Sequence, residues 1–210
     1  MKRHSTWLIL LLLATMALFV FAGCGGGEEA PLPDPDPAEV PDEVQAVIDH
    51  TVDLAANYAL QLDGEWADEY LALLDSGQGW DYPGYDDLKA TLDQFRIESG
   101  AYYVYILTDM DPDDGYFEIT VDGSEEPDDW MAQYEVEGQF FVAQDGEPCA
   151  ALSAWDNDVD DPVWSAFAPV YDSDGNVVGI LGVDYPAPEI LDFPEWNRDS
   201  DEWNGMEVEY

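Results

Sequence analysis

The sequence predicts an α+β domain, and its changing apolar period is the main reason. From Val44 to Leu74 apolar residues recur at three- and four-residue spacing, the mark of one buried helix face. After Gly100 the period falls to two, and the apolar runs are rich in aromatic and β-branched residues. Those runs are separated by Asp, Gly and Asn turns. Helices first and an antiparallel meander afterwards is the α+β pattern.

Each element has its own local reason. The first helix begins near Pro41-Asp42-Glu43, where acidic residues suit the positive end of the helix dipole. Val44, Val47, Ile48, Val52, Ala55, Tyr58, Ala59, Leu62, Trp66, Tyr70, Leu73 and Leu74 form its stripe, with a kink expected at Gly64. Ser76-Gly77-Gln78-Gly79 ends it. A second helix is expected from Tyr85 to Ser99, with Leu88, Leu92 and Phe95 on one face and Gly100 as the stop.

Tyr102 to Thr108 reads as a strand, Asp109 to Gly115 as a turn, and Tyr116 to Val121 as the returning strand. Glu125 to Val136 reads as loop and short helix. Phe140 to Gln144 fits helix or strand. Val163 to Tyr171 and Val177 to Tyr185 are strands joined by the tight turn Asp172-Ser173-Asp174-Gly175-Asn176. The tail after Pro188 is polar and aromatic.

Ahead of the domain, Lys2, Arg3 and His4 precede an apolar run from Trp7 to Ala22, and Phe21-Ala22-Gly23-Cys24 closes it. A charged start, an apolar middle and small residues at the cut describe a secretory signal peptide over residues 1–23. Small residues before Cys24 resemble the lipobox of bacterial lipoproteins. That resemblance implies cleavage before Cys24, lipid on its thiol, and an extracytoplasmic protein anchored to the cell membrane. Residues 24–41 are rich in Gly, then in Glu, Pro and Asp, and read as an extended tether.

Composition excludes several functions. The chain carries 48 acidic residues against 5 Lys and Arg. After residue 23 the only bases are Lys89, Arg96 and Arg198. Such a surface repels nucleic acid, and it suits a saline habitat in which ions screen self-repulsion, the habit of one lineage being the alternative. With Cys24 lipidated, Cys149 has no disulfide partner, and its apolar context reads as a buried thiol. One histidine after the signal peptide, His50, leaves no zinc site of the His/Cys kind and no nucleophilic triad. No cofactor-binding motif is present and no enzyme is expected. Asp109, Asp111 and Asp113 have the spacing of a calcium-loop start. However, Asp114 stands where that loop needs glycine and Thr120 where it needs glutamate. Asp156, Asp158 and Asp160 fail in the same way, with Asp161 and Phe167 at those places. Both sets read as acidic turns.

Three stretches carry a wider resemblance: Tyr103-Val104-Tyr105-Ile106-Leu107, Phe117 to Gly123, and above all Trp164 to Asp184. The last joins Ala-Pro-Val-Tyr to Val-Val-Gly-Ile-Leu-Gly-Val-Asp through an Asp-Gly turn. Together they resemble a Cache (PDC) domain, the extracytoplasmic sensor of bacterial receptors, over residues 42–190, with residues 191–210 as a polar tail. The resemblance implies a PAS-like antiparallel sheet of about five strands with a long N-terminal helix packed along it. It also implies binding of a small-molecule ligand such as an amine or amino acid, with Asp184 receiving the ligand amino group. Phe167 departs from a tyrosine often found in the family. Aromatic candidates for the pocket wall are Tyr103, Tyr105, Trp130 and Trp164. Alternation sends Tyr103 and Tyr105 to one face and Tyr102, Val104 and Ile106 to the other. Either face is open to hold the pocket, and a core role for each tyrosine stands beside the binding role. No transmembrane or cytoplasmic module follows Tyr185, so a sensor lipoprotein without its own transducer, signalling through a separate membrane receptor, is expected. The alternative is a structural or interaction lipoprotein that reuses the fold without a ligand.

Overall fold

Helix α1 (Asp42–Leu62) opens the domain in the computed structural model, which describes residues 40–157, 161–203 and 205. The expected signal peptide, Cys24 and the tether through residue 39 lie outside the described residues, as do Asp158 and Asp160. No described helix is long and apolar enough to cross a membrane.

The long helix expected from Asp42 to Leu74 is two helices. After α1, Asp63 turns extended, and Gly64 adopts φ 77° and ψ −116°, a conformation an L side chain resists. Helix α2 (Glu65–Ser76) then continues the apolar stripe and ends at Gly77 in the left-handed region. The break is tied down from outside. The Gly64 amide donates to the Tyr171 carbonyl at 3.0 Å, and the Tyr171 amide donates to Asp63 at 2.9 Å. Helix α3 (Tyr85–Ser99) ends at Gly100 as expected.

The strands are β1 (Tyr103–Thr108), β2 (Tyr116–Asp122), β3 (Ala132–Glu135), β4 (Cys149–Ala150), β5 (Trp155–Asp156), β6 (Pro162–Tyr171) and β7 (Val177–Pro186). They form one antiparallel sheet in the order β3-β2-β1-β7-β6-β4, with β5 also pairing β6. The α+β architecture is the one the sequence predicts, with seven strands because short β3, β4 and β5 add to the longer ones. The short helix expected between Glu125 and Val136 is instead β3. Its entry is forced at Met131, a non-glycine residue with φ 65°. Phe140 lies in helix α4 (Gly138–Gln144). The tail after Pro188 has more order than its composition implies. Two 3-10 turns bring Trp196 into a small core with Val44, Trp164 and Ile190.

Alternation gives the sheet two different faces. Val104, Ile106, Val121, Ala166, Ala168, Leu181 and Val183 meet Ala55, Ala59, Leu62, Leu73 and Leu92 of the helices. On the other face Leu107, Phe117, Phe167 and Ile180 pack under Phe140 and Ala143 of α4. Helix α4 covers one end of that second face. The other end, at Tyr103, Tyr105 and Asp184, is roofed by the segment after β2, by β3 and by β5.

Candidate functional site

The open end of the second face holds a cavity of about 290 Å³. Register explains its floor. Tyr103 of β1 pairs with Asp184 of β7, Tyr105 pairs with Gly182 on one side and with Asp122 of β2 on the other, and Ser165 of β6 pairs with Asp184. Paired residues share a face, so Tyr103, Tyr105, Asp122, Ser165 and Asp184 all point away from the helices. Gly182 lets the Tyr105 ring lie flat across the sheet. A Cβ there would stand 2.4 Å from the ring.

Asp184 is 4% exposed. Its carboxylate accepts from the Tyr105 hydroxyl at 3.2 Å and from the Ser165 hydroxyl. Ser165 in turn accepts from the Trp155 indole at 3.0 Å, so Trp155, Ser165 and Tyr105 orient the carboxylate. Burial pushes the Asp184 carboxyl up to about 7, against the two hydroxyl bonds that favour its charged form; the negative charge of Glu137 adds to the rise. Burial likewise lifts the Tyr105 phenol well above its ordinary value, with the charge of Asp184 next in weight. Tyr134 is pushed up to about 12 by burial and then by Asp184 and Glu137. Both phenols stay protonated at neutral pH; Tyr105 donates to Asp184, and Tyr134 accepts from the Arg198 guanidinium.

The opposite wall is acidic. Asp122 accepts from the Ser124 amide at 2.8 Å, the Ser124 hydroxyl at 2.9 Å and the Asp128 amide at 2.9 Å. These bonds fold the segment after β2 over the cavity, where Glu126 and Asp128 line its mouth. That segment is clamped to α3. Lys89 donates to the carbonyls of Asp122 at 2.9 Å and Ser124 at 2.7 Å, and Arg96 donates to that of Gly123 at 3.3 Å. Gly123 permits the approach, since a Cβ there would sit 2.6 Å from the α3 backbone.

Of the five residues the sequence offers for a ligand site, the structure brings Tyr103, Tyr105 and Asp184 together. Trp164 lies on the other face, fully buried, with its indole donating to the Ala151 carbonyl at 3.0 Å. Trp130 packs on the helix side, edge-on to Tyr85 at 6.3 Å and over Gly79. Sequence reasoning missed Trp155, Ser165 and Asp122. Cross-strand pairing from Asp184 reaches Ser165, whereas Asp122 fell outside the expected strand, which stopped at Val121. Cys149 is half-buried, and burial lifts its thiol to about 11. His50 stacks edge-on against Tyr185 at 4.8 Å. His50 and Tyr185 border a wider groove of about 610 Å³ beside α1, whose carboxylates are the exposed Glu43 and Glu189 and the half-buried Asp161. The smaller cavity is the candidate site because it encloses a buried, oriented carboxylate. Among the described residues no group of His, Cys, Asp and Glu is arranged to hold a metal ion.

Helices along one face of an antiparallel sheet, with a small polar cavity on the other, define an α+β domain of the ligand-pocket kind. No protein-family model matches the chain, and no curated protein does. Among solved structures it is similar to the sensor domain of Escherichia coli DcuS, with 13% identity over 70% of this chain and 94% of that one, at a TM-score of 0.47. It is similar to the sensor domain of the Vibrio cholerae histidine kinase DctB, with 14% identity over 68% of this chain and 51% of that one, at 0.47. The ligand-binding domain of the Campylobacter jejuni chemoreceptor Tlp3, in complex with 4-methylisoleucine, shows 16% identity over 76% of this chain and 66% of that one, at 0.39. The chain therefore spans just under two thirds of the Tlp3 domain and half of the DctB domain. All three are sensor or ligand-binding domains.

Proposed function

We propose that the protein is a ligand-binding lipoprotein of the Cache type, held outside the cytoplasm by lipid on Cys24. It takes a small amine or amino acid in the cavity at Asp184 and delivers occupancy to a separate membrane partner. One observation carries the ligand reading: Asp184 is buried at the floor of a cavity, oriented by Tyr105 and Ser165, and not ion-paired among the described residues. A carboxylate in that position is held near half-ionisation, and an ammonium group would restore its full charge. Tyr103 and Tyr105 would add hydroxyl contacts and ring-face attraction worth roughly 0.5 to 2 kcal/mol to a cation.

A thermal-shift screen of amines, amino acids, carboxylates and purines tests this, because a ligand of the native state raises the melting temperature. Calorimetric titration of the hits against Asp184→Asn follows. Removing one partner of such a pair costs about 2 to 5 kcal/mol. Unchanged affinity in the folded variant would return Asp184 to a structural role.

A further inference from the structure

The cavity's charge is one-sided. Asp184 stands at one end, and Asp122, Glu126 and Asp128 stand at the other. None of the described residues lining it is Lys, Arg or His. Each of the three bases after residue 23 already has partners. Lys89 and Arg96 hold carbonyls of the roof segment. Arg198 pairs with Glu137 at 2.9 Å and hydrogen-bonds Tyr134 of the cavity wall; its charge reaches Asp184 only as the last-ranked effect, behind burial and the two hydroxyl bonds. A zwitterionic amino acid needs a cationic or amide-rich partner for its own carboxylate. Here that carboxylate would face four others, at a cost in desolvation and like-charge repulsion.

The two acidic ends are also separated. Asp122 and Asp184 flank β1 on opposite sides, opposite Tyr105 and Tyr103 respectively. Two strand spacings and two residues of offset put their α-carbons roughly 12 Å apart. Between them lie the rings of Tyr103 and Tyr105, with Ile119 and Tyr134 alongside. That is an apolar and aromatic middle between two anionic ends, in a volume suited to a short unbranched chain.

We infer that the ligand of this cavity is a linear diamine, with one ammonium on Asp184 and the second at the Asp122, Glu126 and Asp128 end. The inference rests on the proposed reading of the cavity as the ligand site, and it names the ligand class. Partial burial, then the charges of Asp122 and Asp129, keep the Asp128 carboxyl above its ordinary value, and a second ammonium there relieves that repulsion. The middle of the chain lies along the tyrosine rings, where a polar or branched substituent would be excluded.

The test is calorimetric titration of the full mature chain at neutral pH and fixed ionic strength. The probes are 1,4-diaminobutane, 1,5-diaminopentane, 1-aminobutane, γ-aminobutyrate and L-valine. One diamine is expected to bind about tenfold or more tighter than 1-aminobutane, as one added charge-assisted contact requires. Asp128→Asn combined with Glu126→Gln, both exposed and remote from the core, is expected to remove that advantage, weakening the diamine about tenfold more than 1-aminobutane, which loses only the general field of two charges. Asp184→Asn is expected to weaken both. Equal binding of diamine and monoamine, or tighter binding of γ-aminobutyrate or L-valine, overturns the diamine inference while leaving the ligand-site reading in place. Tighter binding of those zwitterions that is lost on Arg198→Gln would assign their carboxylate to Arg198. Diamine binding that is indifferent to Asp184→Asn and to the mouth double variant overturns the assignment to this cavity. Absence of binding by all five probes overturns both the inference and the amine reading.

Discussion

Replacing Asp184 by Asn tests the buried carboxylate without any ligand. In the folded chain this carboxyl sits near 7 because burial penalises its charge; in the unfolded chain it returns to about 3.9. Below the lower value both states carry the proton. Between the two values the unfolded chain releases the proton and the folded chain keeps it, so stability falls as pH rises. Above about 7 the loss is complete. A gap of about three units corresponds to roughly 4 kcal/mol, reduced by whatever water reaches the site. Asn resembles the protonated acid in size and can still accept from Tyr105, but it does not ionise. The variant should therefore match the wild type near pH 4 and exceed it by as much as about 4 kcal/mol near pH 8. Urea unfolding of both proteins across that range, at constant high salt, measures the difference, and the other carboxylates cancel in it. A difference that does not change with pH would mean that Asp184 titrates alike in the folded and unfolded chains, and the electrostatic account of the site would fail.

Three further outcomes follow from the same geometry. Gly182→Ala places a methyl 2.4 Å from the Tyr105 ring; it should cost about 1 to 3 kcal/mol of stability and weaken binding of any cavity ligand, read by melting temperature and titration. Because the net charge is −43, the melting temperature should rise from low to high sodium chloride as self-repulsion is screened; a flat curve would mean local compensation of the acids. Cys24→Ser should yield a protein without lipid, checked by mass spectrometry of the membrane and soluble fractions, and wild type with an unmodified Cys24 in the membrane would refute the anchor.

What was legible in the sequence was whatever depends on local period. The partner strands β6 and β7 could be read almost to the residue, since alternation and an Asp-Gly turn fix both ends. Gly64 announced a disturbance, but the apolar stripe runs on in phase through it, so a kink and a full break look alike in one dimension. Parity separates Asp184 from its neighbour Tyr185, and it would also have put Trp164 behind the sheet, because Trp164 pairs with Tyr185 and Ser165 with Asp184. The aromatic count concealed that. The acidic wall was not legible. Among so many carboxylates, Asp122 stands out only once the roof segment has folded back to give it the Ser124 and Asp128 amides.

Lys89 is the only lysine after residue 23, and its ammonium is held between two carbonyls of the cavity roof. An amine-reactive reagent therefore has one side-chain target on the domain, and that target reports on the roof. The rate of acylation at Lys89 measures how often the segment after Asp122 lifts away from α3. A cavity ligand that settles the roof should slow the reaction, with no engineered label. In a chain with 5 Lys and Arg against 48 acids, this one lysine makes the domain its own gauge of opening.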